Sequence, residues 1–169
     1  MTGRPLVRWQ RNVIGAVVVA AAVGVLVVTG LGPAWSAYRH TVVPETVVPA
    51  GQSGTAGGQN WKLGSIRHLN RSPVNYGPAL PTGTVLTVVT IDRSGPITDE
   101  MCVGVITDGD RRWNAEGVGG FRPPQADGLT TMCNKPGRLQ LTFLLPHDVV
   151  PTAIDVTTLD GQITVRMLV

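Results

Sequence analysis

The chain has 169 residues, 43% of them hydrophobic, and a formal net charge of +3, which leaves room for one modest domain plus accessory segments. From residue 60 onward ten basic and ten acidic side chains cancel, so the basic pI of about 9.3 belongs to the N-terminal flank. A neutral domain lacks the basic face that nucleic-acid binding needs, and no nucleic-acid partner is expected.

Residues 1–12 form a basic flank with Arg4, Arg8 and Arg11 and no acid. Residues 13–32 follow without one charge and consist mainly of Val, Ala, Leu and Gly. As a helix this run reaches ~30 Å, the thickness of a bilayer's hydrocarbon core. It has no polar stripe of the kind that a helix on a soluble core would show. The run therefore predicts one transmembrane helix. Arg39 and Glu45 cancel beyond it, so the positive-inside rule keeps the N-terminus cytoplasmic and exports the rest. Trp9 at one edge, and Trp35 and Tyr38 at the other, match the headgroup preference of aromatic side chains. A cleaved secretory signal is the rival reading, since Ala34 and Ser36 have the small-residue spacing of a cleavage site. The apolar run is longer than the ~7–15 residues of a signal core, which favours the anchor. No cysteine closely follows the run, which argues against a lipoprotein.

Residues 33–59 read as a stalk and linker, with no helical periodicity over 33–44. Thr-Val-Val-Pro occurs at 41–44 and again at 46–49, and Pro44 and Pro49 favour extended backbone. Residues 41–49 are either a stiff stalk or a first edge strand, where proline is tolerated. Residues 51–59, rich in Gly, Ser, Thr and Gln, are a flexible linker or a long hairpin tip.

From residue 60 the pattern has period two. A strand is predicted over 61–69, with Gly64-Ser65 as a bulge that resets its phase. Others are predicted over 85–91, 101–107 and, briefly, 112–114. Over 138–145 Leu139, Leu141, Phe143 and Leu145 face one way, with Arg138, Gln140 and Thr142 opposite. Ile154, Val156 and Thr158, then Ile163, Val165 and Met167, make a terminal hairpin about Asp160-Gly161, which supplies the positive φ of a tight turn. Six or seven short strands with Pro/Gly turns over 60–169 predict an all-β domain, an antiparallel immunoglobulin-like β-sandwich; a small open barrel is the runner-up.

The two cysteines, Cys102 and Cys133, fall in the exported part, and an even count in an oxidising compartment reads as a disulfide. The loop so closed would stabilise the fold by roughly 3–4 kcal/mol. A metal pair would want more ligands nearby in sequence, and none occur. Asp108-Gly109-Asp110 is followed at once by Arg111 and Arg112, which fits a plain turn better than a calcium loop. His68 and His147 are too few for a zinc site, no Gly-x-Ser-x-Gly elbow is present, and no paired carboxylates stand out. Trp61 and Trp113 suit a core short of aromatics better than a ligand groove. No catalytic residue, cofactor or metal is predicted.

One segment stands apart. Residues 117–124, Gly-Val-Gly-Gly-Phe-Arg-Pro-Pro, form a glycine-rich loop with Phe121 at its tip and Arg112 and Arg122 near it. Loops on a rigid sheet commonly carry recognition, so Phe121, Arg112 and Arg122 are the candidate partner-binding residues; the bland reading is a mobile connection tethered by Cys133.

The Arg-flanked Ala/Val/Gly anchor, the Gly/Thr linker, Gly57-Gly-Gln-Asn-Trp-Lys-Leu63, Phe143-Leu-Leu-Pro146 and the hairpin turning at Asp160-Gly161 together resemble uncharacterised, membrane-anchored immunoglobulin-like proteins of actinobacteria, of the mycobacterial type. The resemblance implies an actinobacterial cell envelope and brings no catalytic residues. The expected function is a non-enzymatic accessory or interaction module at the outer face of the cytoplasmic membrane, binding another membrane protein or an envelope component. The alternative is an envelope enzyme or small-ligand receptor with a site assembled from distant residues.

Overall fold

The computed structural model describes residues 8–73, 78–116, 121, 123 and 126–169. The chain divides into two compact units, residues 1–39 and 40–169. The N-terminal unit is helical, with helix α1 over Arg8–Leu26, a π-helical turn over Val27–Leu31 and the start of helix α2 (Gly32–Val42), whose last three residues belong to the second unit. Asn12–Val42 is long and apolar enough to cross a membrane. Helix therefore continues through 33–42, where extended or irregular chain is predicted. The reason lies at Pro33, which has no N–H to return to the preceding turn and would break a regular ladder. The π turn just before it absorbs the fault: the Gly32 N–H reaches back five residues to the Val27 carbonyl. One helical turn further on, the Trp35 and Tyr38 rings lie 5.7 Å apart.

The second unit is a β-sandwich of two five-stranded sheets. Its strands are β1 (Thr46–Val48), β2 (Ser53–Ala56), β3 (Gln59–Leu69), β4 (Thr84–Ser94), β5 (Cys102–Thr107), β6 (Arg112–Asn114), β7 (Leu129–Thr130), β8 (Arg138–Pro146), β9 (Ala153–Thr158) and β10 (Ile163–Leu168). One sheet has the order β1-β10-β9-β5-β6, the other β2-β3-β4-β8-β7. Ordered β structure thus begins before residue 60, with the 41–49 segment supplying an edge strand and 51–59 a hairpin. Gly57 and Gly58, at φ +56° and +73°, make the two-residue turn that right-handed strand twist favours. The predicted bulge is present, since the β3–β4 register shifts between Leu63 and Ser65.

The sheets are mixed rather than wholly antiparallel, because β1 runs parallel to β10 and β7 parallel to β8. Both are short edge strands that enter from the other sheet or from a loop, so no hairpin dictates their direction.

The core is the alternation of β8 made solid. Leu139, Leu141, Phe143 and Leu145 are buried against Val89 and Ile91 of β4 and, across the sandwich, Ile106, Ile154, Val156, Val165 and Met167. Gly104 on β5 faces Leu141 so closely that a Cβ there would fall 2.4 Å from Leu141 Cδ1. Trp61 is buried in the core and donates its indole N–H to the Ala56 carbonyl at 3.0 Å. Trp113 packs against the same core, with Arg111 over its ring at 5.3 Å.

Two devices hold the loop between β7 and β8. Cys133 is disulfide-bonded to Cys102 at the start of β5, with the Cα atoms 5.7 Å apart, so the bond staples one sheet to the other. Arg93 on β4 donates to the carbonyls of Cys133 (2.5 Å), Gly137 (3.1 Å), Met132 (3.2 Å) and Lys135. One guanidinium thereby satisfies four backbone acceptors that no ladder reaches. Its partial burial holds it below the ordinary arginine value.

The close approach at Gly104 yields a test. Gly104→Ala must push Leu141 off its seat, and overpacking of this kind costs about 1–3 kcal/mol. Thermal denaturation of the variant should show a lowered midpoint, and a midpoint equal to the parent's would show that the two sheets have slack there.

Candidate functional site

The outer face of the β1-β10-β9-β5-β6 sheet is set by parity. On β9 Ile154 and Val156 enter the core, so Asp155 and Thr157 point the other way. On β5 the outward set is Val103 and Val105, and on β6 it is Arg112 and Asn114, since Trp113 turns inward. An alternating strand predicts a solvated face here, yet Asp155 is wholly buried.

A buried carboxylate needs partners, and Asp155 has two. Arg166, directly opposite on β10, binds it in a fork, with Nε to Oδ1 at 2.7 Å and Nη2 to Oδ2 at 2.8 Å. Those hydrogen bonds raise the Arg166 guanidinium above its ordinary value against the opposing effect of its burial. Arg112 reaches the same carboxylate from the other side, Nη2 to Oδ2 at 3.2 Å, and its Nη1 lies 3.4 Å from the Thr41 carbonyl. Two cations thus share one anion.

Beside this triad runs an open groove of about 500 Å³. Its walls include Val42, Val103, Val105 and Leu159, and Thr41, Arg112, Asn114, Thr157, Thr158 and Gly161 complete the lining. Arg112 is the one ionisable residue among its described lining. Two other cavities in the sandwich are smaller, about 130 and 50 Å³, and flank the disulfide at Cys102.

The residues singled out in the sequence fall in separate places. Arg112 is on the groove, engaged with Asp155. Phe121 is half-buried. Arg122 and most of that loop, residues 117–120 and 124, lie outside the described residues. His68 Nδ1 is 3.0 Å from the Thr87 hydroxyl, and His147 Nδ1 is 3.1 Å from the Gly83 carbonyl. Neither histidine lines any of these cavities. Asp108 serves its own turn, accepting the Arg111 N–H at 2.7 Å and the Asp110 N–H at 3.1 Å, with Arg111 also in a salt bridge at 2.8 Å. The backbone bond from Arg111 leads in holding that carboxylate below its usual range. Among the described residues no group of three or more His, Cys, Asp or Glu is placed to hold a metal ion.

Asp155, Arg166, Thr41 and Leu159 carry the site without having been marked as functional in the sequence. The one signal available was the pair of opposite charges at 155 and 166 on the outward face of a predicted hairpin, which places them across from each other.

No protein-family model and no curated protein matches the sequence. A solved structure described as an uncharacterized beta-sandwich protein from Clostridium difficile 630 matches with a TM-score of 0.35 and 10% identity, covering 73% of this chain and 93% of that one.

The triad makes an asymmetric prediction. Asp155→Ala leaves two guanidiniums facing each other and should cost about 2–3 kcal/mol, less than the ~3–5 of fully buried pairs because both arginines reach water. Arg112→Gln should cost under about 1 kcal/mol, since Arg166 still holds both carboxylate oxygens. Chemical denaturation of the two variants checks the order, and equal losses would contradict the geometry.

Proposed function

We propose that this chain is a non-enzymatic, membrane-anchored interaction module, with the sandwich displayed at the outer face of the cytoplasmic membrane of an actinobacterial-type cell envelope, where it binds another membrane protein or an envelope component. The observation that carries the reading is the groove. Its described lining combines valine and leucine side chains, uncharged polar groups and one cation, a composition that suits binding and lacks an acid–base pair. The apolar helix over Asn12–Val42, with Arg4, Arg8 and Arg11 before it, supports an N-inside anchor. The disulfide supports an oxidising compartment for the domain.

Strand order supports the immunoglobulin-like type. Taken in chain order, β3 to β10 fall in the positions of strands A, B, C, C′, D, E, F and G, giving β3-β4-β8-β7 on one sheet and β10-β9-β5-β6 on the other. There are departures. The β7–β8 pairing is parallel, and the disulfide joins the start of the C position to the loop before E rather than strand B to strand F. A small-ligand receptor would use the same groove and is the second reading.

A photo-crosslinking residue at Leu159, which is 64% exposed on the groove rim, tests the module in intact cells. It should give a discrete adduct that Arg112→Glu abolishes, while the same residue at Val150, 76% exposed and outside the groove, gives none. Equal labelling at the two positions would end the proposal. A reporter fused after Val169 should be active only outside the cytoplasm, and activity inside would reverse the proposed orientation.

A further inference from the structure

The Arg166–Asp155–Arg112 cluster is charged unequally along its length. Arg166 occupies both oxygens of the carboxylate at 2.7 and 2.8 Å and so completes a neutral pair on its own. Arg112 adds a second positive charge for which the cluster holds no second anion. Its two described bonds are the long ones, 3.2 Å to a carboxylate oxygen already taken and 3.4 Å to the Thr41 carbonyl. A guanidinium has five N–H donors in a planar fork, so most of this one's donor capacity is left over. Its side chain is 42% exposed, against 27% for Arg166, and it is the charged residue that lines the groove.

The remainder of the groove is complementary in another sense. Asn114 stands next to Arg112 but one on β6 and adds an amide. Val42, Val103, Val105 and Leu159 supply its apolar wall, and Thr157 and Thr158 add polar groups beside them. A volume of about 500 Å³ lies within the range of small-ligand sites. A cation beside a wall of valine and leucine selects for an anion that carries a short apolar chain.

We propose that this groove is a binding site for a small amphiphilic anion, a carboxylate or phosphate group borne on a short apolar chain, with Arg112 receiving the anionic head and Val103, Val105 and Leu159 the chain. Arg166 has the structural role of keeping Asp155 neutralised, so that Arg112 is positioned by the carboxylate without being consumed by it. The proposal deepens the interaction-module reading and rests on it for the groove being a binding surface.

The test uses the full chain in phosphatidylcholine nanodiscs, whose zwitterionic lipid offers no net negative charge to compete. Methyl resonances of valine and leucine are followed by NMR as N-acetyl-Val-Leu free acid, its C-terminal amide, or n-butyl phosphate is titrated in. The free acid, the phosphate or both should shift Val103, Val105 and Leu159, with affinity at least tenfold above that of the amide. Arg112→Gln should lower that affinity at least tenfold while its thermal midpoint stays near the parent's. Which of the two anions binds assigns the head group. Shifts that are equal for acid and amide, shifts that survive Arg112→Gln, or no shift with either anion would each overturn the assignment. A failed titration together with a Leu159 crosslink in cells would sink the anion site and leave the module standing. Anion binding without any crosslink would do the reverse.

Discussion

The space between β4 and β8 on one side and β5 and β9 on the other is the constraint on which everything else in the domain rests. Leu139, Leu141, Phe143 and Leu145 project into it from a single strand, and the opposing sheet has to come close enough to exclude water. Gly104 makes that approach possible, because any side chain at that position would meet Leu141. The parity of β5 and β9 then has no freedom. With Ile106, Ile154 and Val156 inside, Val105 and Asp155 must be outside, and a slip by one residue would drive the carboxylate into the apolar core. The groove and its charged cluster are thus consequences of how the core is filled.

Arginines do the work that regular ladders do not reach. Arg93 gathers the carbonyls of the Cys133 loop, Arg138 pairs with Asp92 across β8 and β4 at 2.5 Å, and Arg166 clamps Asp155 across β10 and β9. The first two tie together segments 40 or more positions apart, and the third locks the terminal hairpin. A neutral domain with this many internal pairings spends its charges on itself, which is the physical reason that its pI says nothing about a partner. Arg112 differs from Arg138 and Arg166 in sharing a carboxylate that another arginine already holds by both oxygens.

Much of the fold was legible, for identifiable reasons. Strong alternation marks β8 and the β9–β10 hairpin, Asp160-Gly161 marks the turn between them, where Gly161 adopts φ +86°, and the phase slip in β3 marks its bulge. Edge elements were harder. β7 has two residues and no period to read, and the direction of β1 depends on a partner 119 positions later. Helix beyond Pro33 was hidden because a π turn can rescue a proline that a regular helix cannot. At the site, Arg112 stood out in the sequence but was grouped with Phe121, its neighbour along the chain. The residues that surround it in space, Thr41 and Asp155, lie 71 and 43 positions away. Nor does alternation tell that an outward carboxylate is covered, since burial on an outer face depends on the long side chains that lie over it.

The parallel pairing of β1 with β10 bears on how the domain would carry mechanical load. Chain leaving helix α2 reaches the sandwich at Glu45, whose N–H bonds to the Ile163 carbonyl at 2.9 Å, and β1 then runs beside the last strand from Thr46↔Val165 to Val48↔Met167. A pull between the anchor and the far end of β10 acts along both strands in opposite directions. The hydrogen bonds between them are then sheared together rather than peeled one at a time, and Val48, seated in the core, has to be dragged out with them. Should that clamp yield, the Cys102–Cys133 bond still withholds the 30 intervening residues from extension. A load applied through the N-terminal helix would meet the sandwich first at this sheared pair.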